Sequence, residues 1–322
     1  MLIVTNYEAL PANWRSATGI TGETRLARSL ADFRAFGARP DAVFVINGDA
    51  RALMRLVAAR RFLPGFQRPI VAIDIIFRRP AGLKGRALHG LKRPFLSGAD
   101  LYLNFFSDAR GVSEVYGIPA ARCAYVPFKV NLEPDAIAQA VCSEDYVLTF
   151  GRSLRDFDTF FAAMERLPYP GAIPLPDVAG LRAHGARFTR DLDHLPANVT
   201  VLEDDGSARA QLDMLRRAKL VVVPVTRSSI VASGISTVLN ALALGKCVIG
   251  SEGPGMSDIF TDEILTVPPE DPAALAAAID RAWRDDDLRA RTGAAGRACA
   301  MRLGHEADLV QRLIDRIALA FG

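Results

Sequence analysis

Residues 229–251 read SIVASGISTVLNALALGKCVIGS and contain, in order, a polar loop, an apolar helix and a short strand. Small and hydroxylated residues open the stretch, apolar side chains recur at helical spacing over 236–243, and a β-branched run at 247–249 follows a Gly-Lys break. This order is typical of one loop, helix and strand unit of a parallel sheet. The stretch therefore predicts an α/β fold.

The start of the helix in this stretch has features of a phosphate site. Gly234 would let a ligand approach the backbone closely, and Ser236 and Thr237 offer hydroxyl groups. The free N–H groups of the first helical turn carry partial positive charge, which favours anions. An ordinary capped and buried helix would show the same residues, so the stretch alone leaves both interpretations open.

The remainder of the chain repeats the alternation of strand and helix in both halves. In the first half, strands are predicted at 2–5, 42–47, 70–77, 101–106 and 124–128, and helices at 18–36, 50–62, 83–96 and 108–116. In the second half, strands are predicted at 146–150, near 173, and at 199–203, 220–225, 247–249 and 264–267, and helices at 159–167, 209–218, 236–243, 272–283, 288–303 and 305–321. Parallel sheets in two doubly wound, Rossmann-like domains satisfy this order.

Length and turn signals predict where the two domains meet. A chain of 322 residues exceeds one ordinary domain, and turn-forming and acidic residues separate the two alternations. We place the N-terminal domain at residues 1–140 and the C-terminal domain at 141–304. Helix 305–322 is a candidate to pack back onto the first domain.

Charge is distributed unevenly between the two halves. Residues 1–130 carry 19 basic and 9 acidic residues, a net charge of +10, and the rest of the chain carries −7. The positive charges cluster at 51–93, which would suit an anionic membrane, a lipid phosphate or nucleic acid, but would equally suit a solvated arginine-rich surface. Without aromatic interleaving or a recognition motif, no nucleic-acid partner is expected.

Other features of composition bound the location and the chemistry. The chain has no apolar run of about 18 residues and no basic leader at its start, so we expect a cytoplasmic protein, with peripheral contact to the inner face of the membrane as a further hypothesis. The four cysteines have no C-x-x-C spacing, and the four histidines have no metal-ligand spacing. No metal site is predicted.

Five segments, in order along the chain, carry a more specific signal. They are GADLYLNFFSDARGVSEVYGIPAARCAYVPFKVNLE at 98–133, FGRSLRDFDTFFAAM at 150–164, VTVLEDDGSARAQLDMLRRAKLVVVPV at 199–225, ALALGKCVIGSEGPGMSDIF at 241–260 and VPPEDPAALAAAI at 267–279. This order resembles that of the GT-B glycosyltransferases, in particular the nucleotide-sugar-dependent family 4 type. The resemblance implies two Rossmann-like domains facing a cleft, a UDP- or GDP-sugar as donor, and no metal or other cofactor.

The resemblance also suggests which residues form the site, with departures from the family pattern. Arg152 follows the glycine that opens the second domain, and Arg155 occupies the place of the family's lysine. The two donor-site glutamates of the family fall on Ala232 and Asn240; Asn240 could still hydrogen-bond a ribose hydroxyl, but Ala232 cannot contact the sugar. The family's N-domain histidine falls on Asp74, a candidate base.

The residues themselves support these roles but leave alternatives. The guanidinium groups of Arg152 and Arg155 could bind donor phosphates in a bidentate manner, or could pair with acidic neighbours at 156 and 158. Asp74 interrupts an apolar strand, so it needs either a role as base or a partner such as the arginines at 78 and 79. Gly19 and Gly22, beside the predicted start of helix 18–36, make a second place where a phosphate or sugar could contact backbone.

The sequence therefore predicts a glycosyltransferase of the hexosyl type that moves a sugar from a nucleotide-sugar donor to a glycan or lipid-linked acceptor without a metal, as in polysaccharide biosynthesis. The missing carboxylates leave a second hypothesis open. A GT-B-like protein that lost them could be a non-catalytic binding or scaffold subunit. Retention or inversion at the sugar carbon also stays open.

Overall fold

The computed structural model describes residues 1–138 and 144–322. The chain divides into two compact units, the first formed by Met1–Pro127 and Glu306–Gly322 and the second by Phe128–His305. The predicted domain boundary, between residues 140 and 141, lies outside the described residues. The C-terminal helix belongs to the first unit.

The first unit alternates strands with helices along most of its length. Its elements are β1 Leu2–Thr5, β2 Asn13–Arg15, β3 Thr21–Leu26, α1 Leu30–Ala35, β4 Ala42–Asn47, α2 Ala50–Phe62, β5 Ile70–Ile73, α3 Gly82–Leu96, β6 Leu101–Asn104, α4 Arg110–Tyr116 and β7 Cys123–Tyr125. The strands form one sheet in the order β2-β3-β1-β4-β5-β6-β7, parallel except for β2. The four residues of β1 are fully buried, as expected of a central parallel strand.

The second unit restarts the alternation. Its elements are α5 Pro134–Ala138, β8 Val147–Thr149, α6 Phe157–Met164, β9 Gly171–Pro174, α7 Val178–Ala183, β10 Val199–Leu202, α8 Ala208–Arg217, β11 Leu220–Val223, α9 Ile235–Ala243, β12 Cys247–Ser251, β13 Leu265–Val267, α10 Pro272–Arg284 and α11 Asp286–Leu303. The strands are all parallel, in the order β10-β9-β8-β11-β12-β13. Counted along the chain this is 3-2-1-4-5-6, the order of the Rossmann fold.

Both faces of the second sheet are covered by helices. Side chains of β8 and β11 alternate between two apolar cores, so that Leu148 and Val221 face one core while Val147 and Val222 face the other. Helices α9 and α11 close the first core, and α6 and α10 close the second. The predicted fold class, doubly wound α/β in two units, is confirmed.

The last helix, α12 Glu306–Phe321, returns to the first unit. The backbone N–H of Ala17 donates to the Asp315 carboxylate over 2.7 Å, and the Arg312 guanidinium donates to the carbonyl of Pro127 over 3.1 Å. The helix is therefore held by polar contacts within its own unit as well as by its buried apolar side.

The predicted helix at 18–36 is wrong over its first half. Residues 13–26 form a hairpin in which β2 pairs antiparallel with β3, and the helix α1 starts only at Leu30. A capping box at Ser29, whose side chain accepts from the backbone N–H of Asp32, fixes this later start. Gly19 and Gly22 consequently lie in the hairpin and not beside a helix start.

Two further differences come from local backbone geometry. Strand β5 ends at Ile73, four residues earlier than predicted, because Asp74 adopts a left-handed conformation with φ of 50° that no regular strand accommodates. The short elements β2, α5 and α7 were not predicted, since each has too few residues to show a period.

Within the described ranges, no helix combines the length and the apolar character that crossing a bilayer requires.

Close packing around position 22 explains why a glycine is found there, and a substitution can test this explanation. A Cβ atom there would lie 2.2 Å from the ring of buried Trp14 and 2.4 Å from the carbonyl oxygen of Met1. We expect Gly22→Ala to lower the free energy of unfolding by about 2 kcal/mol, as overpacked sites do, measured by urea denaturation.

Gly90, inside α3, is the matched control. A Cβ atom there meets no described atom within 4 Å, so Gly90→Ala should raise the free energy of unfolding by about 0.5–1 kcal/mol through helix propensity. Equal effects at positions 22 and 90 would contradict the steric explanation.

Candidate functional site

The strand order of the second unit marks one position on its sheet. The chain reverses its direction of winding between β8 and β11, so the loops that follow these two strands separate there. In open α/β sheets ligands bind at this switch point, outside the carboxyl ends of the strands. The two loops are residues 150–156 and 224–234, and α9 follows the second of them.

The loop after β8 is held in an unusual conformation. Buried Leu154 has a φ of 55°, a left-handed conformation that is costly for a bulky side chain. Backbone hydrogen bonds hold it on both sides, because Leu154 N–H donates to the carbonyl of His184 over 3.2 Å and Thr226 N–H donates to the carbonyl of Leu154 over 3.0 Å. The next residue, Arg155, is thereby turned into the protein, with its carbonyl accepting from Arg187 N–H over 2.7 Å.

Arg155 is a buried cation at the switch point. Only 2% of the residue is exposed. Its Nε donates to the carbonyl of Phe150 over 3.0 Å and one terminal nitrogen lies 3.4 Å from Thr237 Oγ1. No carboxylate in the described part of the chain pairs with it, and burial lowers the pKa of Arg155 to about 10. A guanidinium in such surroundings is stabilised by an anion that arrives from outside.

Glycines flank this guanidinium on two sides. A Cβ atom on Gly151 would lie 2.6 Å from Arg155 Nε, and one on Gly234 would lie 2.5 Å from a terminal nitrogen of Arg155. Gly234 also has a φ of 98°, which glycine adopts without strain. Only glycine therefore leaves room for the guanidinium between the two loops.

Gly234 is also the N-cap residue of α9. The N–H groups of the first turn, at Ile235, Ser236 and Thr237, have no partner within the helix, and no side chain caps this helix end. The buried Arg155 guanidinium contacts Thr237 in this same turn. Unsatisfied N–H groups and a guanidinium converge on one place, and this combination favours a phosphate or another oxyanion.

Asn131 is a residue that the sequence did not single out. Its backbone N–H donates to Asn240 Oδ1 over 2.9 Å, and its side-chain amide donates to Ser236 Oγ over 2.5 Å. Lys129 donates in turn to Asn131 Oδ1 over 2.5 Å. The side chains of Ser236 and Asn240 are thus both engaged by one segment, which lies inside the quoted segment 98–133.

The acidic residues that follow Arg152 and Arg155 in the sequence pair with groups other than these two arginines. Asp156 caps α6, accepting from Thr159 N–H over 3.1 Å, and lies 3.7 Å from a nitrogen of Arg187. Arg187 also pairs with Asp158 at 3.5 Å. The alternative in which Arg152 and Arg155 pair with these acids is not what the structure has. Arg152 is exposed and makes no ion pair with the residues that the structure describes.

Ala232 lies in the loop before α9, against another glycine. A Cβ atom on Gly255 would lie 2.4 Å from the Ala232 methyl group. The assignment of the family's two donor-site glutamates to the positions of Ala232 and Asn240 stays a prediction.

In the first unit, Asp74 follows β5 at the carboxyl edge of the sheet. Its left-handed backbone is held by an N–H donation to the carbonyl of Leu103 over 3.1 Å. Its carboxylate makes no hydrogen bond or ion pair with a described residue, and Arg79 pairs instead with Glu114 at 3.8 Å. The structure therefore does not support pairing of Asp74 with Arg79.

Two observations on the Asp74 carboxyl point in different directions. The protein around it raises its pKa by desolvation, to about 7. The residue nevertheless has an exposed surface. Water that reaches the carboxyl group limits this desolvation, and the direction of the pKa shift stays upward.

A short hydrogen bond lies near Asp74. Tyr7 Oη donates to Glu306 Oε1 over 2.5 Å, which joins the segment after β1 to the start of α12. Burial and the Glu306 carboxylate raise the pKa of Tyr7, with a smaller contribution from Asp74. Tyr7 and Glu306 therefore form a polar pair, and the charge of Asp74 acts on Tyr7.

Comparisons with known proteins bear on the fold of this chain. Residues 192–298, about a third of the chain, match the family model of the glycosyl transferases group 1. This range contains β10, β11 and β12 together with α9. The GT-B fold of this chain is shown by solved structures that align with nearly all of it.

Solved GT-B structures match over nearly the whole chain at low identity. Anabaena HepE, solved with UDP and glucose, aligns with a TM-score of 0.65 and 14% identity over 92% of this chain and 86% of its own. Sucrose-phosphate synthase from Thermosynechococcus elongatus aligns with a TM-score of 0.64 and 18% identity over 100% of this chain and 88% of its own. Trehalose-phosphate synthase from Burkholderia vietnamiensis aligns with a TM-score of 0.62 and 15% identity over 98% of this chain and 99% of its own. No curated protein matches the sequence significantly.

The predicted site residues of this GT-B chain fall into separate groups. Arg155, Gly234 and Thr237 lie together at the switch point, with Ser236 and Asn240 on the same helix and exposed Arg152 in the loop after β8. Asp74, Gly19 and Gly22 belong to the first unit. The ligand contacts expected of Gly19 and Gly22 stay predictions. Among the described residues, no three His, Cys, Asp or Glu side chains are grouped to hold a metal ion.

A substitution at Arg155 tests whether the buried charge serves stability. Arg155→Met keeps the length of the side chain and removes an uncompensated cation, so we expect the melting temperature of the ligand-free protein to stay the same or to rise. Differential scanning calorimetry measures it.

The same change at Arg187 is the control. Arg187→Met leaves buried Asp156 without its cation and should destabilise the protein by about 1–2 kcal/mol. A loss at Arg155 as large as that at Arg187 would show that Arg155 is structural.

The raised pKa of Asp74 predicts a pH-dependent effect on stability. Between the ordinary value of 3.8 and about 7, the folded protein binds a proton at Asp74 that the unfolded chain has lost. Stability is therefore lost as pH rises through this window, and Asp74→Asn, which tolerates the left-handed backbone, should raise the melting temperature more at pH 8 than at pH 5. Glu8→Gln, at an exposed carboxylate, gives the background. A gain independent of pH would rule out the raised pKa.

Proposed function

We propose that this protein is a glycosyltransferase whose second unit binds the diphosphate of a nucleotide sugar at Arg155 and the start of α9. The observation that carries the proposal is a buried guanidinium that lacks a described carboxylate partner and contacts the first turn of an uncapped helix. A diphosphate supplies the missing negative charge and accepts hydrogen bonds from both.

The similar proteins support a nucleotide diphosphate in particular. Anabaena HepE was solved with UDP, with UDP and glucose, and with UDP-glucose. At 14% identity the likeness shows the fold, so UDP as the nucleotide of this protein is part of the proposal. The group 1 match over residues 192–298 includes α9 and supports the same class of donor.

The chemistry follows from where charge develops. The bond between the sugar carbon and the diphosphate oxygen breaks, the acceptor oxygen bonds to that carbon, and negative charge grows on the leaving diphosphate. Arg155 and the N–H groups of α9 stabilise this charge in place, and exposed Arg152 is free to reach the outer phosphate oxygens. Because these groups already supply positive charge, we propose that transfer is metal-independent.

Asp74 is the proposed base in the first unit. Its raised pKa, the absence of a partner for its carboxylate among the described residues, and its left-handed backbone are typical of a residue held for function. It would take the proton of the acceptor hydroxyl, which is the step that an inverting reaction requires. We propose a glycan or a lipid-linked sugar as acceptor.

Nucleotide binding tests the diphosphate site. We expect the wild-type protein to bind UDP at least tenfold more tightly than UMP by calorimetric titration, since the second phosphate meets Arg155 and α9. Arg155→Met should weaken UDP binding by about 10- to 100-fold and leave UMP binding less affected. Titration with GDP and GMP then shows whether the nucleotide of the donor carries uracil or guanine.

Arg284→Met is the control, because Arg284 is an exposed arginine of the same unit that pairs with Asp280 at 2.9 Å. Unchanged UDP affinity in Arg155→Met, or no nucleotide binding by the wild type, would refute the proposed site. Binding without release of UDP from UDP-sugars, in the presence of acceptors, would favour the non-catalytic alternative.

A further inference from the structure

Helix α3 of the first unit presents its apolar side chains outward. Leu83, Leu88 and Leu91 are 84%, 49% and 72% exposed, and only Leu96 is buried. Leu83, Ala87 and Leu91 follow each other at spacings of four residues, so they lie on one side of the helix. We call Leu83, Ala87, Leu88 and Leu91 the outer face of α3.

The outer face reverses the usual arrangement of a surface helix. A helix packed on a globular protein normally turns its apolar stripe to the core and its charges to water. Here the inner side packs on α2, and polar and ring contacts with α4 add to this packing. The His89 ring meets Tyr116 at 4.9 Å between centroids, and Arg93 donates to the carbonyl of Tyr116 over 3.0 Å. Exposed apolar surface of this kind marks an interaction site.

Positive charge surrounds the outer face. Helix α3 contains Lys84, Arg86 and Lys92, in addition to Arg93 on its inner side, and has no Asp or Glu in its fifteen residues. Lys84 and Arg86 are exposed, and both lie within a turn of Leu83 and Leu88. Long basic side chains beside exposed leucines can rest their apolar stems on a membrane and keep their charges at the level of the lipid head groups.

We propose that the outer face of α3 docks on an anionic lipid surface, lying flat with its leucines at the boundary of the acyl chains. The combination of a leucine stripe with basic flanks and no acid is the chemistry of interfacial helices. Anionic head groups pair with the lysines and arginines, while the acyl region receives the leucines. This surface belongs to the first unit and the proposed nucleotide site to the second, and the inference does not depend on the proposed function.

Charge argues against the other occupants. A second copy of this chain would place α3 against α3, and their lysines and arginines would repel each other. Nucleic acid would neutralise the charges but would leave Leu83 and Leu91 exposed, since its backbone has no apolar surface to cover them. An anionic lipid surface satisfies both the charges and the leucines.

Vesicle co-sedimentation tests the docking. The full-length protein is mixed with vesicles of phosphatidylcholine alone or with about one third phosphatidylglycerol. We expect binding to the anionic vesicles that weakens with salt, and at least tenfold weaker binding to the neutral ones. The double variant Leu83→Asn, Leu91→Asn should bind anionic vesicles more weakly than the wild type by at least about tenfold, because it loses the apolar contact.

Two further variants divide the contributions. Lys84→Gln with Lys92→Gln should lower binding to anionic vesicles about tenfold and reduce its salt dependence. Leu319→Asn changes a leucine that is 68% exposed on α12, outside α3, and should bind as the wild type does. Because these side chains are exposed, apart from half-buried Lys92, melting temperatures should stay close to that of the wild type.

Several outcomes would overturn the inference. They are equal binding to neutral and anionic vesicles, wild-type binding by the leucine double variant, an equal loss in Leu319→Asn, or a dimer in light scattering that the leucine variant abolishes. UDP titration without vesicles should give the same affinity for the α3 variants and the wild type. A failure of vesicle docking is therefore distinguishable from a failure of the nucleotide site.

Discussion

Burying one positive charge without a matching negative charge is the constraint around which the second unit is built. Arg155 is brought inside by a left-handed Leu154, admitted by two glycines and held by the carbonyl of Phe150, yet no described carboxylate pairs with it. The left-handed backbone of Leu154 and the buried charge without a carboxylate are each unfavourable. Together they keep a cation beside the free N–H groups of α9, where the proposed diphosphate would supply the missing negative charge.

The rest of the unit can be understood as support for that arrangement. The Rossmann strand order separates the loops after β8 and β11, which opens the position that Arg155 occupies. The acids next to Arg155 are bound to Arg187 and to the start of α6, which keeps them from neutralising it. Asn131 fixes the exposed side of α9 through Ser236 and Asn240, and thereby orients the helix whose first turn faces the site.

The first unit distributes polar and apolar surface differently. At the carboxyl edge of its sheet, Asp74 is held in a left-handed conformation, and Tyr7 is tied to Glu306 across the start of α12. On α3, the leucines that would normally contribute to a core are left exposed among basic residues. Both features are unfavourable for the stability of the unit by itself, and under the two proposals a substrate hydroxyl or a lipid surface would compensate for them.

The sequence by itself determined the repeating strand and helix pattern and the fold class, because hydrophobic periodicity and turn residues act locally. It also indicated a candidate anion site at the start of the helix that follows Gly234. It missed the hairpin at Gly22, the role of Asn131 and the pairing of Asp156 with Arg187, and it gave no reason to expect the leucines of α3 to face outward. Those facts depend on which residues meet after folding over long separations in the chain. Only the tertiary structure decides them, since a local pattern shows that a side chain is charged or apolar but not whether a partner reaches it.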